Sequence, residues 1–404
     1  MKNSCQRQLP SPLITAFVPG MSDLDITHPA ISDLRRAAKR RLPHFVFEYL
    51  DSGTGDRELG IPTNRQGLDD VVLMPSVLHG HCQPDLSTTF LGTTYARPFG
   101  IAPIGMSGLI WPNAERLLAA EAQKARIPYG LSTVATRLPE DVGPVAGDMG
   151  WFQLYPPANP EFRRDMIRRA KNSGFTTLVM TVDVPADSRR ERQRRANLTV
   201  PFRIKPQVLW AMLTHPTWTL GTLRHGAPSL KLAEDYATET EGETSVTHAG
   251  HAIRGYPNWD DVKAVRQEWD GPLIVKGVQR AEDAVRMRDA GVDAVWVSNH
   301  SARQFEGGPS AISSLPPIRA AVGAEYPLIF DSGIEGGLDI VRALHLGADF
   351  VMLGRAWHYA LAGLGPQGVR HLIHLLSDDM VVNMGMLGAH SLSDLRGDLM
   401  RPSP

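Results

Sequence analysis

The sequence predicts a (β/α)8 TIM barrel, and three observations carry that expectation. Eight apolar runs of strand length recur between residues 99 and 356, each nearly continuous, as parallel strands buried on both faces should be. Helix-like segments separate most of them, giving the alternation that a closed parallel sheet requires. The runs end in polar residues or glycines, the pattern expected where the C-terminal ends of barrel strands build a site.

In chain order, residues 1–25 are expected to form an unstructured extension. Lys2 and Arg7 are basic, but the apolar stretch 13–18 is short and hemmed by Pro10, Pro12 and Pro19. No signal peptide is expected there, and Met21 is a candidate start. From 27 to 49 the pattern is helical. Asp33 is placed as the cap of a helix running through Arg40, and LPHFVFEYL starts another with Pro43 in its first turn. Residues 68–99 form short extended segments broken by Gly and Pro. The barrel strands are then expected at 99–105, 128–133, 151–156, 177–185, 272–278, 294–300, 327–333 and 350–356. Helices are expected at 113–126, 160–173, 258–269, 280–290, 311–322 and 336–346. A doubly wound sheet is disfavoured, because GIAPIGMSGL lacks the GxGxxG spacing of its first turn. The barrel is expected to be one domain over 26–398, with an insertion at 190–257 after the fourth strand. That insertion opens on the basic run 189–195, continues through an apolar, tryptophan-containing middle and ends in a mobile-loop composition.

Bulk composition excludes several classes. The chain has 404 residues, 42% hydrophobic and 21% charged, with a formal net charge of -1. Nothing in that balance suggests a nucleic-acid partner. The two cysteines, Cys5 and Cys82, are too few for a disulfide framework or thiolate metal site and fit a reducing, cytoplasmic compartment. No window approaches the ~20 apolar residues of a membrane-spanning helix. No metal site is expected.

The chemistry sits at the strand ends. These carry Pro103, Ile104 and Gly105; Ser132; Gln153 and Tyr155; Thr181 and Asp183; Lys276; Ser298 and His300; Asp331, Ser332 and Gly333; Gly354 and Arg355. A single polar strand end is ordinary, since strands end in turns. Eight converging on one mouth are hard to explain as solvation. A lone His300 is most simply a satisfied strand-end histidine, yet Asp183 lies at another strand mouth, and a carboxylate beside imidazole raises its basicity and orients it for proton abstraction. Arg190 and Arg303, otherwise surface charges, make a fork for a substrate carboxylate if both reach the mouth. Lys276 ends an apolar strand and needs an anionic partner, a reduced flavin being one candidate. Gly333, Gly354 and Arg355 end the last two strands, the common phosphate site of this fold.

Several motifs together resemble the FMN-dependent 2-hydroxy acid oxidase and dehydrogenase family, which includes glycolate oxidase, lactate oxidase and dehydrogenase, and mandelate dehydrogenase. SNHSARQ (298–304) is the most specific; FQLY, TVDVPADSRRE, IVKGV, DSG and LGRA follow the family's order and spacing, with IAPIGM and LST in support. The resemblance covers about 42–395. It implies non-covalently bound FMN and oxidation of an L-2-hydroxy acid to the 2-oxo acid. It implies His300 as base paired with Asp183, Arg303 and Arg190 as carboxylate ligands, and Tyr155 and Tyr49 as hydrogen-bond partners of the substrate. Lys276 is implied beside the flavin N1–C2=O edge, stabilising negative charge on reduced flavin. Ser132, Gln153, Thr181 and Ser298 are implied around the ring and ribityl chain, 103–105 over the ring, and 331–335 with 354–355 at ribityl and phosphate. By the same resemblance the chain is expected to be a homo-oligomer, a tetramer, passing electrons to oxygen or to a membrane quinone or cytochrome; no fused haem domain is expected.

Four departures qualify the resemblance. Ser301 stands where the family has glycine, narrowing or polarising the loop. Glu335 stands where many members place an arginine against the FMN phosphate. Gly105 replaces the alanine and Val134 the tryptophan of glycolate oxidase, which together favour a substrate larger than glycolate, lactate- or mandelate-like. Two other readings compete. Another FMN barrel, an isomerase or nucleotide dehydrogenase, has no need of a histidine with two arginines; a degenerate flavin-binding homologue is suggested by Glu335 and opposed by the retained mouth residues. Residues 206–225 are read first as a lid or subunit contact. The competing reading is a peripheral anchor on the inner face of the membrane, aided by the positive run 189–195.

Overall fold

A computed structural model describes residues 21–196, 206–236 and 255–396. Eight parallel strands close into a barrel: β3 (Phe99–Ile101), β4 (Tyr129–Ser132), β5 (Gly150–Leu154), β6 (Thr177–Thr181), β7 (Leu273–Val278), β8 (Ala294–Val297), β9 (Leu328–Phe330) and β10 (Phe350–Leu353), with β10 pairing back onto β3. Seven of the eight lie inside the expected runs, and β5 starts one residue before its run, at Gly150. Most stop two to four residues early, because the last residues of each run turn into the mouth loops or, at Arg355, begin the next helix. His300 and Ser332 show the cause: both have positive φ, which no strand ladder accommodates.

The six expected barrel helices form, at Ala114–Ala125, Pro160–Asn172, Trp259–Glu268, Ala281–Asp289, Ala311–Val322 and Gly337–His345. Asn159 and Asn258 cap two of them, their side-chain oxygens accepting backbone N–H groups at Glu161 (2.8 Å) and Asp260 (2.7 Å). Helices at Pro139–Ala146, Arg355–Leu364 and Pro366–Leu387 were not expected. The first contains Pro144, which reads as a breaker in sequence.

Before the barrel, a hairpin of β1 (Thr88–Phe90) and β2 (Thr93–Tyr95) plugs its N-terminal end. Phe90 and Tyr95 reach into the interior layer and meet Phe350 at ring-centroid distances of 5.4 and 5.3 Å. Helices Ile31–Arg41, His44–Asp51 and Gly60–Asp69 come before it in the chain, and residues of all three reach the opposite, C-terminal mouth. Asp33 is not the cap of the first. It sits three residues inside the helix, and its carboxylate accepts the N–H of the true cap residue, Ala30, at 3.1 Å. Of the stretch 1–25 expected to be unstructured, 21–25 belongs to a helix, Met21–Thr27; residues 1–20 lie outside the described residues.

The insertion contributes helices Glu191–Arg195, Pro206–Thr214, Pro216–His225 and Lys231–Glu234. Pro216 splits 206–225 into two helices. Trp218 anchors the second to the body. It is 2% exposed, meets Phe45 edge-to-face and donates its indole N–H to the Leu109 carbonyl at 3.0 Å. Part of the expected mobile end, 237–254, lies outside the described residues.

Candidate active site

Residues two apart on a strand share a face. Trp151, Val179, Ile274, Trp296 and Ile329 fill the barrel interior. Two positions further toward the C-terminal end, on the same five strands or just past their ends, stand Gln153, Thr181, Lys276, Ser298 and Asp331, with Ser132 in register beside Gln153. All six are buried. The fill of the barrel therefore changes from apolar to polar within one layer, and burial of that layer is costly unless each group is paired.

Most of it is. Ser132 donates to the Gln153 side-chain oxygen at 2.7 Å. The Lys276 ammonium, 4% exposed, donates to Ser298 Oγ at 2.7 Å, lies 3.2 Å from an Asp331 carboxylate oxygen and sits 5.1 Å from the Trp296 ring centroid. The anionic partner that Lys276 requires is thus supplied by the chain itself, through Asp331. Two buried groups in the layer, Gln153 Nε2 and Thr181 Oγ1, have no hydrogen-bond partner.

His300 is held against Asp183, with Nδ1 at 3.0 and 3.2 Å from the two carboxylate oxygens. Burial pushes the Asp183 carboxyl up, but the facing His300 and then Lys276 outweigh it, and the net shift is down. Burial likewise pushes the imidazole down, further than Asp183 raises it. The pair is therefore an ionised carboxylate and a neutral imidazole. The carboxylate can only accept, so Nδ1 carries the proton and Nε2 keeps its lone pair, as a general base requires.

The cations converge on the same space. Arg303 donates to the carbonyls of Tyr49 (3.0 Å) and Ser52 (2.8 Å). Arg190, at positive φ, donates to Ser188 Oγ at 2.9 Å. Arg355 opens the helix after β10 and donates to the Ser301 carbonyl at 2.7 Å. Burial, then the neighbouring Arg190 and Arg355, push the Arg303 guanidinium below its usual value. Cations packed this way repel one another, so an anion bound among them is favoured. Tyr49 donates its hydroxyl to the Gly105 carbonyl at 3.0 Å, tying the N-terminal helices to the 103–105 segment.

One cavity of about 910 Å³ gathers these groups. Tyr49, Tyr155, Arg190, His300 and Arg303 line one part. Pro103, Ile104, Gly105 and Lys276 line another, and Asp331, Ser332, Gly333, Glu335, Gly354 and Arg355 a third. Ser132, Gln153, Thr181, Ser298 and Asp183 are not among its lining residues; Ser298 and Asp183 hold the lining residues Lys276 and His300. A Cβ added at Gly105 would meet a Val134 methyl at 2.6 Å. The room expected from Gly105 and Val134 is therefore not additive, because the valine fills the place an alanine side chain would take.

Apart from Tyr49, sequence reading missed the contribution of the N-terminal helices. Asn64 and Asn299 exchange side-chain amide hydrogen bonds at 2.9 and 2.7 Å, and Arg65 reaches the Gly333 carbonyl at 3.1 Å. Their only signal was a polar pair in a short amphipathic helix, indistinguishable from a solvated face. The basic run is also not the wholly free positive patch that the membrane-anchor reading needs. Arg192 pairs with Glu48 and Asp51 (both 2.7 Å), Arg195 pairs with Asp56, and Arg190 lines the cavity. Asp51 takes Arg35 and the Tyr359 hydroxyl as well; burial raises its carboxyl, and these donors more than reverse the shift.

An imidazole held on a carboxylate beside converging arginines, at the C-terminal mouth of an eight-stranded barrel, is the layout of an enzyme active site. The chain belongs to the FMN-dependent dehydrogenase family, which matches residues 38–402, and it is an FMN-dependent oxidoreductase. It is 37% identical to an L-lactate dehydrogenase of Pseudomonas aeruginosa (strain LESB58) over 371 residues, 91% of this chain and 97% of that one. It is 37% identical to an L-lactate dehydrogenase of Vibrio parahaemolyticus over 377 residues, 93% and 99% of the two chains. Among solved structures it is similar to the monotopic membrane protein (S)-mandelate dehydrogenase, with TM-score 0.86, 33% identity and coverage of 93% and 99%. It is also similar to mandelate oxidase, with TM-score 0.76, 31% identity and coverage of 91% and 96%.

The residues fit FMN. The unpartnered Gln153 Nε2 and Thr181 Oγ1 suit the polar edge of a flavin ring. Gly354 and the helix N-terminus at Arg355 suit its phosphate. Glu335 is the exception. It is exposed on the rim of the cavity, and its own N–H is turned to Asp339 at 2.9 Å. Glu335→Arg is expected to tighten FMN severalfold, an effect that shrinks with added salt. Equilibrium titration of flavin-free protein checks this, and equal affinities at low salt would show that Glu335 faces away from the phosphate.

Proposed function

We propose that this enzyme oxidises an L-2-hydroxy acid with an apolar side chain, larger than glycolate, to the 2-oxo acid. The observation that carries the reading is the His300 imidazole, oriented by Asp183 at 3.0 Å, in the same cavity as the Arg190 and Arg303 guanidinium groups. The two arginines hold the substrate carboxylate, and Tyr155 and Tyr49 steady its oxygens. Ile104, Val134 and Val184 line the cavity and suit an apolar side chain rather than a second charge. The substrate gives up two electrons and two protons. His300 Nε2 takes one proton, and Asp183 stabilises the imidazolium that forms. FMN, held in the same cavity, would supply the acceptor for the electron pair and the other proton. The Lys276 ammonium offsets the negative charge this places nearby.

The test is anaerobic mixing of the holoenzyme with a panel of 2-hydroxy acids, followed by air. Bleaching of the flavin band by lactate or larger L-2-hydroxy acids, in preference to glycolate, is expected. No bleaching by any of them sinks the reading. Recolouring in air identifies oxygen as the acceptor; its failure points to a membrane quinone or cytochrome.

A peripheral position at a membrane surface is the companion proposal. The two insertion helices turn Leu209, Trp210, Leu213, Leu220 and Leu223 to solvent, Trp210 being 69% exposed. No described helix is long and apolar enough to cross a membrane. With Arg192 and Arg195 paired, attraction to the surface rests on these apolar side chains rather than on the basic run. Sedimentation with anionic vesicles is expected to be only weakly salt-dependent and to be lost in a Trp210→Ser, Leu213→Ser variant. Intact protein that stays in the supernatant at every salt concentration would return the segment to a lid or subunit contact.

A further inference from the structure

The loop that carries His300 is strained. His300, Ser301 and Ala302 have φ of 55°, 52° and 59°, three consecutive side-chain-bearing residues in the left-handed region. Such a segment persists only when its surroundings over-determine it. Across from it, on the loop after β9, Ser332 has φ 91°, a conformation suited to glycine. Two strained segments therefore face each other, and a single hydroxyl joins them.

That hydroxyl closes a ring of polar contacts across three neighbouring strands. The Ser301 N–H donates to Ser332 Oγ at 3.0 Å, and Ser332 Oγ–H donates to an Asp331 carboxylate oxygen at 2.7 Å. The other Asp331 oxygen lies 3.2 Å from the Lys276 ammonium. Lys276 donates to Ser298 Oγ at 2.7 Å, and Ser298 Oγ accepts the His300 N–H at 3.0 Å. Residues 298–301 complete the circuit. Ser332 is 4% exposed, and its hydroxyl is engaged on both sides within the protein.

We infer that Ser332 is a positioning residue for the proton-transfer step: its hydroxyl locks the His300 loop to the Asp331–Lys276 pair, so that the base and the ammonium hold a fixed separation. The inference rests on the reading of His300 as the base. The strain at Ser332 is offset by what its side chain does. Glycine would relieve the backbone and open the ring. Alanine would keep the strain and also open the ring. The two replacements separate a positioning role from a merely structural one.

The experiment compares wild-type, Ser332→Gly and Ser332→Ala holoenzymes by stopped-flow reduction with the best 2-hydroxy acid. Hydrogen exchange over 298–304 is measured in parallel, on holo- and flavin-free proteins. Both variants are expected to reduce about tenfold more slowly at saturating substrate, with substrate affinity nearly unchanged, because geometry rather than binding is lost. Exchange at the Ser301 amide is expected to quicken about three- to tenfold. Ser332→Gly is expected to melt no lower than wild type. A Ser332→Gly enzyme with the wild-type limiting rate, or with unchanged exchange at 298–304, overturns the inference. If a variant loses its flavin, exchange in the flavin-free proteins decides. Wild-type protein that no 2-hydroxy acid reduces defeats the functional reading instead, a separate failure.

Discussion

His300→Ala is expected to slow reduction of the bound flavin by a 2-hydroxy acid at least ~100-fold while FMN stays in place. The first half follows from the tautomer. With Nδ1–H on Asp183 at 3.0 Å, Nε2 is the nitrogen left to take a proton, and alanine supplies no substitute. The second half follows from where the ring sits. The buried layer of Gln153, Thr181 and Lys276, and the phosphate end at Gly354 and Arg355, do not use the imidazole for support. The wild-type enzyme should also show a characteristic pH limb. The base works as neutral imidazole, and its folded pKa lies below the usual 6.5, burial outweighing Asp183. The reduction rate should therefore hold through neutral pH and fall only as pH drops through that lowered value. Stopped-flow reduction across pH checks both statements. A His300→Ala enzyme with wild-type rates would end the assignment.

Arg190→Met is expected to weaken binding of the substrate and of the 2-oxo acid by about 2–3 kcal/mol, roughly 30- to 150-fold, because a carboxylate loses a charge-assisted partner. Arg303→Met should cost more, for a reason visible only in the structure. Its guanidinium also ties down the carbonyls of Tyr49 and Ser52, and Tyr49 in turn holds the 103–105 segment through the Gly105 carbonyl. Losing Arg303 therefore loosens the 103–105 wall of the cavity as well as removing the proposed carboxylate ligand. The limiting rate should fall in Arg303→Met but much less in Arg190→Met. Uncharged esters of the hydroxy acid give the direct check. If they react as well as the free acids, neither arginine binds a carboxylate.

Much of this site was legible in the sequence because a barrel makes it so. Once eight buried strands are recognised, the period of two along each strand and the rule that the C-terminal ends build the site place Gln153, Thr181, Lys276, Ser298 and Asp331 in one layer. No contact information is needed for that step. The same strand ends gave His300 and Asp183, with Arg190 and Arg303 close behind in the chain, and the structure brings them together around one cavity.

What the sequence by itself determined, then, was the fold, the strand each functional group belongs to and the face it occupies, because these are set by local periodicity and chain order. What only the tertiary structure decided was pairing across elements distant in the chain. Lys276 finds Asp331 rather than waiting for a ligand, Asn64 meets Asn299, and Arg192 and Arg195 of the basic run pair with Glu48, Asp51 and Asp56. Trp218 turns inward while Trp210 turns out. Such pairings depend on which side chains come within hydrogen-bond range after packing, and a charge or indole looks the same in sequence whether it faces a partner or water. The same holds for strain. That Ser301 and Ser332 both sit at positive φ and share a hydrogen bond beside the base is decided by the packed loops and has no signal in the sequence.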